Sequence, residues 1–389
     1  MTKKVAIIGV GLTPTRTRHK DLTHPELTFM AVRNALEDAG ITIEDIDAFV
    51  YGSMDPFDGI VAPEKWDMDA VGGAMNKPVM KISTGGTTGI STALAGYYHV
   101  ASGMFDVVMA VATQRVGMCI DAQQVLNTCV CPIFERSFGG NAIAVGALQA
   151  MAHMAKYGTT EEDLARVAVK NRKNALNNPY AHLKLDISIE DALSAPIVVW
   201  PLRLLDCCPR SDGSCALIFA TEEKVKEFGI DNPAWVKAVG YIADNYYWGD
   251  RPWYHFWDSL AMLARRVYKM AKIHDPLKEI DVAELYEAFT IQEILEYEAL
   301  GFAKPGEGPK LLKEGITYMD GELPVNPSGG VLSTNPIGAT ALIRVAEAAL
   351  QVMGKAGKRQ VPDVETALAH GWGGTAQYHG LMVLTREKP

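Results

Sequence analysis

Two hydrophobic rhythms take turns along this chain. "KVAIIGVG" is a short, continuous apolar and β-branched run, which predicts a buried strand. "ELTFMAVRNALEDAG" carries helical periodicity and stops at Gly40, and "IEDIDAFVYG" returns to a strand. The same succession comes back after Asn232, as "AWVKAVGYIAD", "FWDSLAMLARRVYKMA" and "EIDVAELYEAF". The second part of each half matches too. "STGGTTGISTALAGYYHVASG" before "DVVMAVA", and "NPSGGVLSTNPIGATALIRVAEAALQVMG" before "ETALAHGWGG", are each a glycine-rich turn, a helix and a strand. Helices alternating with buried strands predict an α/β fold, here doubled and pseudo-symmetric. Both glycine turns are expected to face one cleft at the strand C-termini.

Between the halves lies a less regular stretch from Gly117 to about Leu205, with helices in "GNAIAVGALQAMAHMAKYG" and "TTEEDLARVAVKNRKNAL", then "NNPYAHLK". An insertion this long is expected to cover a site or make subunit contacts. The expected division is an N-terminal half at 1–116, a covering insertion at 117–205, a return to the first half at 206–231, and a C-terminal half at 232–389.

Residues 79–98, "VMKISTGGTTGISTALAGYY", form a strand-to-helix turn whose glycines let the backbone aim N–H groups at a ligand. A helix N-terminus also lowers a thiol pKa, so an acyl-transfer enzyme would place its cysteine here. There is no cysteine between Val79 and Tyr98.

Composition narrows the classes. The 389 residues are 48% hydrophobic, which suits a globular enzyme-sized chain. A net charge of −9 gives no electrostatic reason to bind nucleic acid or an anionic membrane. No run approaches the ~18 apolar residues of a membrane helix, so a cytoplasmic protein is expected. Six cysteines in a chain of this length are no disulfide framework. Cys119, Cys129 and Cys131 lie close together but offer one C-x-C pair and no neighbouring histidine, so no metal is expected.

"NNPYAHLK", "LRLLDCCPRSDGSCALI", "YEAFTIQEILEYEALGF" and "VNPSGGVLSTNPIGAT", in this order, resemble the thiolase superfamily, in particular its sterol-carrier-protein-type and archaeal-type branches. The likeness runs from about Lys4 to the C-terminus. It implies a five-layered α/β/α/β/α fold, a coenzyme A thioester substrate, obligatory dimers and no cofactor. The family's nucleophilic cysteine falls on Gly86, its N-E-A-F asparagine on Tyr286 (followed by Glu287, Ala288 and Phe289), its G-H-P histidine on Asn335 and its second cysteine on Gly371. The sterol-carrier branch keeps an acid–base cysteine where this chain has Ala288. Both usual cysteines are missing. The family's backbone oxyanion hole falls on Gly86 and Gly373, which a glycine can still supply. Asn335 can donate an amide N–H in place of imidazole.

The substitutes for the lost nucleophile each have a plainer reading. Cys119, just past the strand "DVVMAVATQ", is a candidate nucleophile or a small apolar loop residue. Cys129 and Cys131 sit deeper in the insertion. Cys208 aligns with a residue near the pantetheine arm and is expected to line the site, with Cys207 pointing away. Cys215 is expected in the core. His370 and His379, flanking "GWGGTAQY", are candidate general bases or structural histidines. Tyr286 is a proton donor or acceptor, or packs in the core; Glu287 holds a neighbour or acts as a base. Ser328, Gly329 and Gly330 are expected beside the thioester. "KNRKNALNNP" is a candidate for the CoA phosphates, with a solvated helix face as its plainer reading.

Thiolytic cleavage of a β-ketoacyl-CoA is the leading expectation, because the "NPSGGVLSTNPIGAT" block remains thiolase-like. The departures at Gly86, Ala288 and Asn335 point to an unusual substrate and resemble a branch that includes the large subunit of 2-benzoylsuccinyl-CoA thiolase. Steroid side-chain aldolases share the fold and the pairing of "KISTGGTTG" with "RLLDCCPRSDG", so a retro-aldol lyase is the second. A CoA- or lipid-binding scaffold without chemistry is the third. Both divergent enzyme groups work with a small zinc-ribbon/OB-fold accessory protein, so a heteromer built on a homodimer is expected.

Overall fold

The computed structural model describes residues 3–389. Its main sheet has nine strands: β1 (Val5–Leu12), β2 (Ala48–Gly52), β3 (Val79–Ile82), β4 (Val107–Arg115), β5 (Asp212–Thr221), β6 (Ala234–Ala243), β7 (Val282–Glu284), β8 (Thr366–Gly373) and β9 (Tyr378–Thr385). Their order is β3-β2-β4-β5-β1-β6-β9-β8-β7. Read outward from the β1/β6 seam, the two sides repeat: β1-β5-β4-β2-β3 on one, β6-β9-β8-β7 on the other. The seam is antiparallel, with Ala6 opposite Trp235 and Ile7 opposite Ala234. The counterpart of β3 in the second half is reduced to one bridge between Ala283 and Val325.

Seven longer helices build the layers: α1 (His24–Ala39), α2 (Thr88–Ala101), α3 (Ala142–Tyr157), α4 (Glu161–Ala175), α5 (Asp258–Ala271), α6 (Thr290–Ala299) and α7 (Ile337–Met353). The sheet wraps around α2 and α7, which pack on each other and touch strands of both halves. Outside it, α1 covers the first half and α5 the second, giving the five layers expected. α7 is apolar nearly all round and buried from Gly338 to Met353, as a central helix must be. α1 starts at a reciprocal Thr23–Glu26 capping box and ends at Gly40 in the left-handed conformation, which matches the stop read from the periodicity.

The excursion between β4 and β5 carries α3 and α4. Here both readings of "KNRKNALNNP" fail for most of its polar side chains, because Lys170, Asn171, Arg172, Asn174 and Asn178 are buried, while Lys173 and Asn177 are exposed. Lys170 Nζ donates to the Val325 carbonyl at 2.8 Å and pairs with Glu293 at 3.0 Å. Asn174 and Asn178 donate to the Asn326 and Ser328 carbonyls at 3.0 and 2.9 Å. These side chains fasten the insertion to the second half, and of the segment's cations only Lys173 is left exposed.

Candidate active site

The strand C-termini bring the β3–α2 turn against the end of β8. A Cβ built on Gly86 would lie 2.8 Å from the Trp372 carbonyl oxygen and 3.1 Å from the Gly373 Cα. One built on Gly373 would lie 2.6 Å from the Gly86 nitrogen. The two backbones therefore abut, and neither position has room for a side chain. Gly371 is closed too, since its Cβ would meet the Ala341 Cβ at 2.7 Å and Ile90 Cγ2 at 2.9 Å. Neither of the family's cysteine seats can hold a cysteine without moving backbone or core.

Tyr286 comes nearest to filling the vacant seat, with its hydroxyl 3.6 Å from the Cβ position of Gly86. Its ring packs edge-on against Trp372, whose indole N–H donates to the Tyr286 carbonyl at 2.5 Å. Burial pushes the phenol far above its ordinary value, with the Cys208 sulfur adding to the rise, so Tyr286 rests protonated.

Asn335 lies beside it. Its Nδ2 donates to Cys208 Sγ at 3.1 Å, and its Oδ1 accepts from Thr340 Oγ1 at 2.8 Å. It does not cap α7 through its side chain: the cap position is Pro336, without a side-chain cap bond. Cys208 is half-buried and its amide donates to the Ala288 carbonyl at 3.0 Å. Burial pushes its thiol up to about 12, although the Asn335 hydrogen bond works against the rise, so no thiolate is available at neutral pH. Cys207 points elsewhere, toward the Arg203 carbonyl at 3.4 Å.

The remaining sequence candidates lie elsewhere. Cys119 packs with Met54, Phe57, Ala122 and Ile337 in a small apolar cluster, separate from the one holding Tyr286 and Trp372. Cys129 packs by Val130, Val145 and Trp248, where burial pushes its thiol up to about 11; Cys131 and Cys215 are buried. His370 and His379 do not face the turn. Side chains alternate along β8, and Gly371 and Gly373 take the face toward α2 and Gly86. His370 and Trp372 therefore take the other, together with His379 opposite Trp372. There His370 Nδ1 lies 3.1 Å from Glu296 Oε1 and its Nε2 lies 3.2 Å from His379 Nδ1. Burial holds His370 well below its ordinary value and His379 down at about 3, so both are neutral supports under the site.

Glu287 is also structural. Its carboxylate accepts from Asn171 at 3.0 Å, Asn326 at 2.8 Å and the Leu332 amide at 3.1 Å. Burial raises its pKa, as does the Glu293 charge. Ser328, Gly329 and Gly330 line no opening. Ser328 Oγ joins a buried pair, donating to Glu284 at 2.7 Å and accepting from Arg344 at 2.7 Å. A Cβ on Gly329 would strike Ala175 of α4 at 2.5 Å, and one on Gly330 would collide with the Glu287 carboxylate.

Three features were missed in the sequence. Thr340, an unremarkable hydroxyl on a helix, donates to Asn335 Oδ1 at 2.8 Å. Trp248 and Arg251 hold the turn after Gly373, with Trp248 Nε1 donating to Thr375 Oγ1 and Arg251 Nη1 to the Thr375 carbonyl, both at 2.7 Å. The run "NYYWGDRPWYHFW", dense in aromatics, was their only signal. A cavity of about 300 Å³ lies beside Trp248, lined chiefly by Phe134, Phe138, Leu148, Tyr247 and Tyr254. Among the described residues no group of three His, Cys, Asp or Glu side chains could hold a metal, and no helix is long and apolar enough to cross a membrane.

Comparison with known proteins places the chain in a family. Residues 5–223 match the thiolase N-terminal domain family and residues 250–386 the thiolase C-terminal domain-like family. The chain is 34% identical to the acetyl-CoA acetyltransferase of Methanothermobacter thermautotrophicus, over 97% of this chain and 99% of that protein. It is 32% identical to benzoylsuccinyl-CoA thiolase subunit BbsB of Thauera aromatica, over 76% of this chain and 77% of that one. The solved Ltp2-ChsH2(DUF35) aldolase superposes with a TM-score of 0.84 at 25% identity, over 98% of both chains. Matched over most of its length in both halves, this chain belongs to the thiolase family.

Proposed function

We propose that the protein is a carbon–carbon lyase of the thiolase fold, cleaving a β-hydroxyacyl-CoA by a retro-aldol reaction without a covalent acyl-enzyme. The observation that carries this is the closed cysteine seat at Gly86, with the Tyr286 hydroxyl 3.6 Å from the place of the missing Cβ. Retro-aldol cleavage needs no nucleophile. The β-hydroxyl loses its proton, the Cα–Cβ bond breaks to give a carbonyl compound, and the electron pair forms a thioester enolate that is then protonated at Cα. The backbone N–H groups of Gly86 and Gly373 are the donors for the enolate oxygen. Asn335 and Cys208 line the site; Tyr286, once its proton has gone to solvent, takes the proton of the β-oxygen, and the hydroxyl so regenerated returns a proton to Cα of the enolate. Likeness to an aldolase at a TM-score of 0.84 supports the reading.

Tyr286 rests protonated, so cleavage first requires loss of that proton. The cleavage rate of the parent should therefore climb toward alkaline pH, and Tyr286→Phe should lose about 100-fold or more in rate along with that slope. Cleavage that survives in Tyr286→Phe with the same pH profile would remove Tyr286 from the chemistry.

A second reading, thiolytic cleavage of a β-ketoacyl-CoA such as 2-benzoylsuccinyl-CoA, is favoured by the 32% identity to BbsB. It needs an attacking thiolate that Cys208, pushed up to about 12, does not supply. The assembly we propose is a cytoplasmic homodimer joined through the β3 edge, where Met80 is 52% exposed. A zinc-ribbon/OB-fold accessory subunit completes it, in keeping with the ChsH2(DUF35) component of the solved aldolase.

A further inference from the structure

We infer that Trp248 and Arg251 are positioning residues that clamp the turn after β8 and thereby set the Gly373 amide against Gly86. This rests on the reading of Gly86 and Gly373 as the oxyanion donors. Three consecutive residues of that turn have positive φ: Gly374 at 59°, Thr375 at 60° and Ala376 at 62°. Glycine takes this conformation freely, but an alanine is strained there and a β-branched threonine more so. Such a course persists only where the surroundings impose it.

The surroundings here are specific. Trp248 Nε1 donates to Thr375 Oγ1 at 2.7 Å and approaches the Thr375 carbonyl at 3.3 Å. Arg251 Nη1 donates to the same carbonyl at 2.7 Å, while its Nε and Nη2 hold the Asn245 carbonyl at 3.0 and 2.8 Å. The guanidinium thus links two carbonyls, Thr375 of the turn and Asn245 after β6, rather than serving a carboxylate. The Asp244 amide donates to the Gln377 carbonyl at 2.7 Å and the Gln377 amide to the Gly373 carbonyl at 2.9 Å, closing the turn back onto β8. The clamp is itself held by the insertion, since the Trp248 amide donates to Glu135 Oε1 at 2.8 Å. Hydrogen bonds therefore tie the insertion to Trp248 and Trp248 to Thr375, and the backbone from Thr375 leads two residues back to Gly373, which abuts Gly86.

Trp248→Phe keeps the ring and removes the N–H donor. It should lower kcat by about tenfold or more with KM within about threefold, because a misplaced oxyanion donor acts on the transition state. Ala376→Gly removes part of the strain the clamp opposes. Relative to Ala376→Gly, the double variant Trp248→Phe/Ala376→Gly should therefore lose at least about threefold less kcat than Trp248→Phe loses relative to the parent. Amide hydrogen exchange over residues 373–377 gives a readout independent of activity, and should quicken by about tenfold in Trp248→Phe. Faster exchange in a protein without lyase activity would sink the proposed reaction and leave the clamp standing. Unchanged exchange, unchanged kcat, a rise in KM alone, or no relief by Ala376→Gly would overturn the inference.

Discussion

At residue 86 a substitution that looks like a repair is expected to fail. Gly86→Cys restores the family's nucleophile in name, but its Cβ must enter a space bounded by the Trp372 carbonyl at 2.8 Å and the Gly373 Cα at 3.1 Å. Both are backbone, so the turn or β8 has to give, at a cost of about 1–3 kcal/mol. Chemical denaturation should show that loss, and the variant should gain no thiolytic turnover; a stable, thiolytic Gly86→Cys would contradict the closed seat. Asn335 gives a complementary test. Asn335→Asp would set a carboxylate where an amide now donates to Cys208, next to a developing oxyanion, and should lower turnover by about 10²–10³ with little change in melting temperature. An active Asn335→Asp would remove Asn335 from the chemistry. The absence of the nucleophilic cysteine was legible from residues 79–98 alone, and the place of Tyr286 from the Y-E-A-F block. That no cysteine fits was not, because the obstructing carbonyl comes from residue 372. The facing of His370 was misread for the same reason: strand alternation gives two faces, and only the packing of Gly371 on Ile90 tells which one meets the turn.

Among the elements, α1 and the segment between β2 and β3 are joined by a buried ion cluster with a pH signature. His24, at the start of α1, lies 2.9 Å from Asp67 and 3.6 Å from Asp58, with Trp66 stacked alongside. Burial alone would lower its pKa, but the hydrogen bond to Asp67 and the nearby carboxylates of Asp58 and Asp67 raise it from 6.5 to about 9. A folded-state pKa above the unfolded one stabilises fully below about 6.5 and loses that contribution as pH rises through about 9, on the order of 3 kcal/mol in all. The melting temperature should therefore fall between about pH 7 and 10, and His24→Gln should start lower and show a flatter slope. Equal slopes would show that the imidazolium is not held there. Element identity was largely readable: the periodicities of "ELTFMAVRNALEDAG" and "FWDSLAMLARRVYKMA" became α1 and α5. The polar face of α4 was misread as solvated or phosphate-binding because its partners, Glu293, Val325, Asn326 and Ser328, lie more than a hundred residues away, and charge without its partner looks like solvent exposure.

For the whole molecule, the doubling visible in the sequence reappears as a sheet order that repeats outward from the β1/β6 seam. What the doubling could not convey is that the second copy drops its outermost strand, leaving the two ends of the sheet unlike. It also gave no sign that the insertion reaches the β8 turn through Glu135 and Trp248. The chemistry rests on this arrangement: two glycine backbones from different halves abut, the cysteine seats close, and a buried phenol stands where a thiol would. The most direct test is to incubate the protein with a branched or aromatic β-hydroxyacyl-CoA in the complete absence of free CoA and to quantify the products. The expected result is equimolar carbonyl compound and shortened acyl-CoA, formed at a rate that added CoA does not increase. Turnover that begins only when free CoA is supplied, with a β-ketoacyl-CoA as the substrate consumed, would contradict it.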